Sequence, residues 1–137
     1  MKLVIDSNVL ISALIKDSIT RKIIFESKLK FYYPAISLHE IKKHRELIIN
    51  KSGLESDGFD KLFHTILNKV NLVPYNKIKS NFKQAKEIFE NIDKDDVIFI
   101  ALALSIENDG IWTDDSDFEK QNTIKIWKTE NVLKSLM

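Results

Sequence analysis

The segment Val97 to Leu104, VIFIALAL, is eight consecutive apolar residues with acids upstream and downstream, and it restricts the fold more than any other stretch. It is far shorter than the roughly 20 residues that cross a bilayer. A helix built from it has no polar face for water and must be enclosed by protein. Ala101 and Ala103 would let it lie close against a sheet, so a helix over about Asp95 to Glu107 packed on a buried layer of strands is expected. The acids that precede it, Asp93, Asp95 and Asp96, exceed the needs of a helix start. The dipole favours an acid there by only about 0.3 to 1 kcal/mol, and one would suffice.

The strands for such a layer are short and apolar. Leu3-Val4-Ile5 suits a strand buried on both faces of a parallel sheet. It runs directly into Asp6, and the full stretch Lys2 to Leu10 reads KLVIDSNVL. Ser7 or Asn8 offers a side-chain oxygen to cap the next helix, whose stripe is Val9, Leu10, Ile11 and Leu14. Asp6 itself has two readings on this stretch alone, a helix cap or a ligand at the carboxyl end of a strand, where open α/β sheets bind their ligands.

The same grammar continues along the chain. Residues 21–29 read as a second short helix capped by Thr20, and Lys30 to Tyr33 as a second strand ending at Pro34. Ser37 and Glu40 have the spacing of a capping box, opening a helix with Leu38, Ile41, Leu47 and Ile48 on one side. Glu40 also falls just beyond the end of the second strand, on the edge assigned to Asp6. Lys42, Lys43 and Arg45 follow, a run that suits either a solvated helix face or phosphate contacts. Residues 51–57 read as a turn and Phe59 to Asn68 as a helix. Asn71 to Tyr75 is a short strand whose Pro74 places it at an end or edge, and Lys79 to Glu90 is an amphipathic helix. Gly110 closes the apolar helix. Ile111-Trp112-Thr113 then repeats the opening pattern, a strand running into Asp114, Asp115 and Asp117. Thr123 to Trp127 is a last strand, and Glu130 to Met137 a closing helix capped by Thr129. This order describes a three-layer α/β/α sandwich around a mainly parallel central sheet, with 1–137 as a single domain.

Composition limits the chemistry. With 137 residues, 44% hydrophobic and 30% charged, the chain can bury one substantial core. A net charge of +1 gives no global attraction for polyanions, so a nucleic-acid binder would have to segregate its acids and bases. Absence of cysteine removes disulfides and thiolate metal sites. With one Lys and three apolar residues before Asp6 there is no signal-peptide core, and a soluble cytoplasmic protein with no membrane partner is expected.

Four acidic points, Asp6, Glu40, the Asp93 to Asp96 cluster and the Asp114 to Asp117 cluster, all fall on one expected sheet edge. Carboxylates gathered there repel one another unless cations neutralise them. Oxygen-only donors select hard ions such as Mg²⁺ or Mn²⁺, whose typical chemistry is phosphoryl transfer.

DSNVL at 6–10, Glu40 after the second strand, DVIFIALAL at 96–104 and TDDSDF at 113–118 resemble the four acidic motifs of PIN-domain ribonucleases, a family that includes VapC-type toxins and related stand-alone proteins. The resemblance runs from Lys2 to about Trp127. It implies a Mg²⁺- or Mn²⁺-dependent endoribonuclease with Asp6, Glu40, Asp96 and Asp115 as catalytic, metal-binding acids and Asp93 and Asp117 as further candidate ligands. Ser7, Asn8 and Thr113 would support those ligands, and Lys42, Lys43 and Arg45 would line the RNA path. It also implies a homodimer and, for a toxin, an antitoxin partner. The segment between Asp96 and Thr113 is one residue longer than the commonest toxin pattern, and Asp114 competes with Asp115 and Asp117 for the fourth position. The alternative is an inactive PIN-fold module that holds RNA or a protein. A haloacid-dehalogenase-like phosphatase is disfavoured, because Asn8 stands where its general acid would be.

Overall fold

The computed structural model describes residues 1–137. Five strands form one sheet, all parallel, in the order β3-β2-β1-β4-β5. They are β1 (Lys2–Ile5), β2 (Lys30–Pro34), β3 (Val70–Val73), β4 (Ile111–Trp112) and β5 (Ile126–Trp127). Parallel neighbours need crossover connections, and as far as β4 helices supply them: α1 (Ser7–Ile15), α2 (Ile19–Glu26), α3 (Leu38–Lys43), α4 (Arg45–Ser52), α5 (Ser56–Leu67), α6 (Phe82–Phe89) and α7 (Val97–Ser105); a 3-10 segment, Ser116–Lys120, lies between β4 and β5, and α8 (Thr129–Ser135) closes the chain. Helix α1 packs with α2, α4 and α5, whereas α7 packs with α6, β1 and β2, giving the α/β/α sandwich expected from the sequence.

The core explains the apolar patterns. Leu3, Val4 and Ile5 are fully buried in β1, the central strand, and Ile111 and Trp112 in β4 beside it. In α7, Val97, Phe99, Ile100, Ala101, Leu102 and Ala103 are all buried. Each large side chain so placed contributes about 1.5 to 3 kcal/mol, which compensates a helix with no solvent face. A single cluster of 30 buried residues joins the sheet to both helical layers. Gly110, at φ 134°, permits the tight entry into β4, since a Cβ there would lie 2.4 Å from the Lys125 carbonyl oxygen.

Several local expectations need correction. Ser18, not Thr20, is the N-cap residue of α2, and Thr20 is buried in its first turn. The Ser37–Glu40 capping box does not form. A 3-10 turn, Ala35–Ser37, runs straight into α3, so the Leu38 N–H already bonds to the carbonyls of Ala35 and Ile36. The helix drawn through Leu47 and Ile48 breaks at His44, and Leu47 is exposed. Residues 51 and 52 are still helical, and Gly53 ends α4 in the left-handed conformation at φ 71°. Helix α7 stops at Ser105. Strand β5 is only two residues long, because the Gln121 amide accepts from the N–H groups of Thr123 and Ile124 and donates to the Ile124 carbonyl, taking that backbone out of the ladder. At α8, the carboxylate of Asp114 receives both the N–H and the hydroxyl of Thr129, so Thr129 is the capped residue rather than the cap.

Candidate active site

Strand order reverses direction at β1: from there the chain adds β2 and β3 on one side and β4 and β5 on the other. The crevice outside the carboxyl ends of β1 and β4 is therefore the topological switch point, the place where open parallel sheets bind ligands. Asp6 follows β1, and Thr113, Asp114 and Asp115 follow β4.

The two strand ends are tied together through Asp6, which is only 2% exposed. One oxygen, Oδ1, accepts the Val9 N–H at 2.8 Å and so caps α1, while Oδ2 accepts the Thr113 hydroxyl at 2.6 Å. The cap reading of Asp6 holds, and the cap is Asp6 rather than Ser7 or Asn8. A carboxylate has about four lone-pair positions, so two remain. The Thr113 hydroxyl in turn accepts the Asp115 N–H at 3.0 Å, and Asp115 Oδ1 accepts the Asp117 N–H at 2.9 Å. This chain of bonds fixes the loop after β4 relative to the end of β1.

Among the three acids of that loop the structure discriminates. Asp114 is spent on Thr129. Asp117 holds Lys120 at 2.8 Å, an exposed pair that raises the Lys120 pKa through hydrogen bonding to Asp117. Asp115 is half-buried and close enough to raise the pKa of Asp6 and of Asp96 by charge repulsion.

Asp96 enters the site from the opposite helical layer, as the residue just before α7. Burial, the neighbouring charge and hydrogen bond of Asp93, and the charges of Asp6 and Asp115 push its pKa up to about 7. Burial likewise raises Asp6 to about 6 against the lowering effect of its bonds from Thr113 and Val9, with Asp115 and Asp114 adding repulsion. Asp93 also accepts the Asp95 N–H at 3.0 Å and shapes the turn. The Glu40 carboxylate, exposed in the first turn of α3, accepts no hydrogen bond from the protein.

Tyr33 was not singled out from the sequence, yet it joins the two sides of the site. Its ring is buried near the end of β2, and its hydroxyl donates to the Ser37 carbonyl at 3.2 Å while lying 2.7 Å from Ser7 Oγ. A phenol has one proton, so Ser7 donates to Tyr33. This links the residue after Asp6 to the turn that leads into the Glu40 helix. Burial raises the Tyr33 pKa strongly, the Ser7 bond opposes that, and the charges of Glu40, Asp6 and Asp96 add to it. The phenol therefore stays protonated. A tyrosine beside another tyrosine in an apolar run reads only as a strand former, so no sequence signal marked it.

The remaining candidates separate. Asn8 is exposed and, with Ser12, Thr20, Asp114 and Asp115, lines a cleft of about 380 Å³ on the β4 side. Lys42 and Lys43 are exposed and form no ion pair. Arg45 is committed to α5: its guanidinium holds Asp60 at 2.7 Å and Ser56 at 2.9 Å and lies 5.8 Å above the Phe59 ring. That removes Arg45 from the exposed basic run.

The donor set suits a hard divalent ion in being all oxygen, in retaining lone pairs on Asp6, and in leaving the Glu40 carboxylate without a hydrogen-bond partner. No three carboxylate or imidazole side chains are gathered at the spacing that already holds an ion. Repulsion among like charges favours such spreading.

A parallel α/β sandwich with acids at the switch point defines a class of ligand-binding α/β proteins. The family model described as the PIN domain matches residues 4–137, and the chain belongs to that family. PIN domains are typically nucleases and generally use divalent metal ions. No curated protein matches the chain in sequence. No helix is long and apolar enough to cross a membrane.

Proposed function

We propose that this protein is a Mg²⁺- or Mn²⁺-dependent endoribonuclease that hydrolyses RNA phosphodiester bonds. The observation that carries the reading is the Asp6–Thr113–Asp115 linkage across the switch point, with Asp96 brought within repulsive range of both Asp6 and Asp115. Asp6, Asp96, Asp115 and Glu40 would hold the ion. When bound, the ion polarises the scissile phosphate and lowers the pKa of an attacking water.

The chain's own residues then have distinct tasks. Thr113 holds Asp6 in one rotamer by donating to Oδ2, leaving the outward lone pairs for the ion. Val9 locks the other oxygen from the helix side. Tyr33 keeps the turn before Glu40 in register with Ser7. Lys42 and Lys43, unpaired on the helix that carries Glu40, attract flanking phosphates.

The test is cleavage of a structured RNA with Mn²⁺ by the wild-type chain and by Asp6→Asn and Asp96→Asn. Cleavage by the wild type alone is expected. Activity that survives both substitutions would overturn the assignment, and wild-type inactivity across metals and substrates would favour a module that binds without cutting.

A further inference from the structure

The cleft of about 380 Å³ on the β4 side of the acids is lined by side chains with polar atoms to spare. Thr20 is only 6% exposed, yet its hydroxyl makes no hydrogen bond within the protein and lines this cleft. A polar atom on so buried a residue ordinarily has a partner. Ser12 is also unbonded, although its place in α1 offers the carbonyl four residues back, the acceptor that Thr65 and Ser105 use in their own helices. The Asn8 amide, two residues after Asp6, is free as well. Two hydroxyls and an amide thus converge on one space without serving the fold. The rest of the lining decides what the space rejects. It holds no lysine or arginine, and Asp114 and Asp115 complete its wall, so a phosphate is repelled. Val9 is its single apolar residue, and it offers no ring on which a base could stack. What fits is a small neutral group that both donates and accepts hydrogen bonds. Asp115 belongs both to this cleft and to the proposed metal-binding acids, so that group sits beside the reacting phosphate.

We infer that this cleft holds the ribose of one nucleotide flanking the phosphate to be cut, and that Thr20, with Ser12 and Asn8, recognises its 2′-hydroxyl. The inference rests on the nuclease reading for the presence of RNA, and adds to it the residues that read the sugar. A 2′-hydroxyl is donor and acceptor at once, and so is the hydroxyl of threonine or serine. The pair can bond in either sense. A 2′-deoxyribose fills the same space and displaces water from Thr20 without replacing its hydrogen bond, and loses affinity for that reason.

Binding is measured by fluorescence anisotropy in EDTA, which stops turnover, with the full chain and a labelled RNA whose cleaved bond is mapped separately in Mn²⁺. Companion strands of the same sequence carry one 2′-deoxynucleotide moved along the length. A single sensitive position flanking that bond is expected, with affinity lower by about fivefold, the worth of one hydrogen bond. Thr20→Val, which keeps the shape, loses the same factor on the unmodified RNA and nothing further on the strand that is deoxy at that position. Thr20→Ser restores the wild-type pattern. Thr20 lies in the first turn of α2, so Ser12→Ala is run beside it as a variant on the other helix, and it blunts the response at the same position. No sensitive position, or the wild-type response retained in both Thr20→Val and Ser12→Ala, overturns the inference. A Thr20-dependent position in a chain that never cleaves would keep the ribose site and remove the nuclease reading. Cleavage abolished in Asp6→Asn alongside binding indifferent to every deoxy substitution would do the reverse.

Discussion

The two sides of the acidic crevice are built on different principles. On the β1–β4 side Asp6 is buried, doubly hydrogen-bonded and joined to Asp115 through one threonine hydroxyl. On the β2 side the Glu40 carboxylate is exposed and bonded to nothing, on a helix that follows the turn Tyr33 braces. The same residue class therefore does two jobs. Asp6 contributes to the fold whether or not a ligand is present, and Glu40 only to the site. The comparison teaches that preorganisation is concentrated where strands supply it, at the switch point, while the helix side is free to adjust to an ion or substrate.

Asp6→Ala against Glu40→Ala breaks the comparison most sharply. Removing Asp6 deletes the α1 cap and orphans the buried Thr113 hydroxyl, so a loss of about 2 to 4 kcal/mol in unfolding free energy is expected together with loss of cleavage. Glu40→Ala should also lose cleavage but stay within about 0.5 kcal/mol of wild type in stability. Urea melts paired with an RNA cleavage assay separate the two. Equal stability costs would show that the sides are not built differently.

Thr113→Val comes next. It keeps the shape but removes the hydroxyl that serves Asp6 and Asp115 at once. The expected cost is about 1 to 3 kcal/mol in stability and roughly 10- to 100-fold in cleavage or metal affinity. Isothermal titration with Mn²⁺ checks the second figure, and Thr113→Ser, which retains the hydroxyl, should recover most of it. Smaller still is Tyr33→Phe, which cuts the Ser7–Ser37 bridge for about 1 kcal/mol. Its informative readout is kinetic. If Tyr33 positions Glu40, cleavage should fall several-fold in Tyr33→Phe and hardly further when Glu40→Ala is added, whereas multiplicative losses would make Tyr33 a packing residue only.

The sequence conveyed the strand-side half of this arrangement better than the other. Apolar runs leading into acids, Ile5 into Asp6 and Trp112-Thr113 into Asp114, identify strands and their carboxyl ends, because a short apolar run suits burial on both faces of a parallel sheet. Val97 to Leu104 likewise admits only an enclosed helix. What stayed hidden depended on partners far away in the chain. Ser37 has the spacing of a cap, but it lies in a 3-10 turn that runs into α3, so its backbone is already helical rather than extended as a cap requires. Asp114 and Asp115 are adjacent and chemically equal, and only the arrival of Thr129 decides which is free. Arg45 sits in a basic run and is withdrawn from it by Asp60, fifteen residues on. Strand ends were legible from local pattern, whereas hydroxyl and carboxylate pairings were settled by tertiary contact.

The smallest effect concerns pH and tests whether the two halves are under electrostatic load without an ion. Asp6 and Asp96 titrate near 6 and 7 in the folded chain, above the ordinary aspartate value of about 3.9. Between pH 4 and pH 7 the folded state thus binds more protons at these positions than the unfolded state, and by linkage their contribution to stability falls as pH rises through that window. Asp96→Asn removes its share of the load. The metal-free variant should match wild type near pH 4 and exceed it above pH 7 by about 1 kcal/mol, a modest figure because solvent screens a half-buried carboxylate. Mn²⁺ should reverse the order, since an ion binds only the deprotonated acids and stabilises the wild type by mass action. The same protons compete with the ion, so metal affinity should weaken as pH drops from 7 towards 6. Thermal melts of both proteins at the two pH extremes, with and without Mn²⁺, decide the matter. A wild type that is no less stable than Asp96→Asn in EDTA at pH 8 would mean that the acids are already relieved of one another, and that the helix side needs no ion to settle.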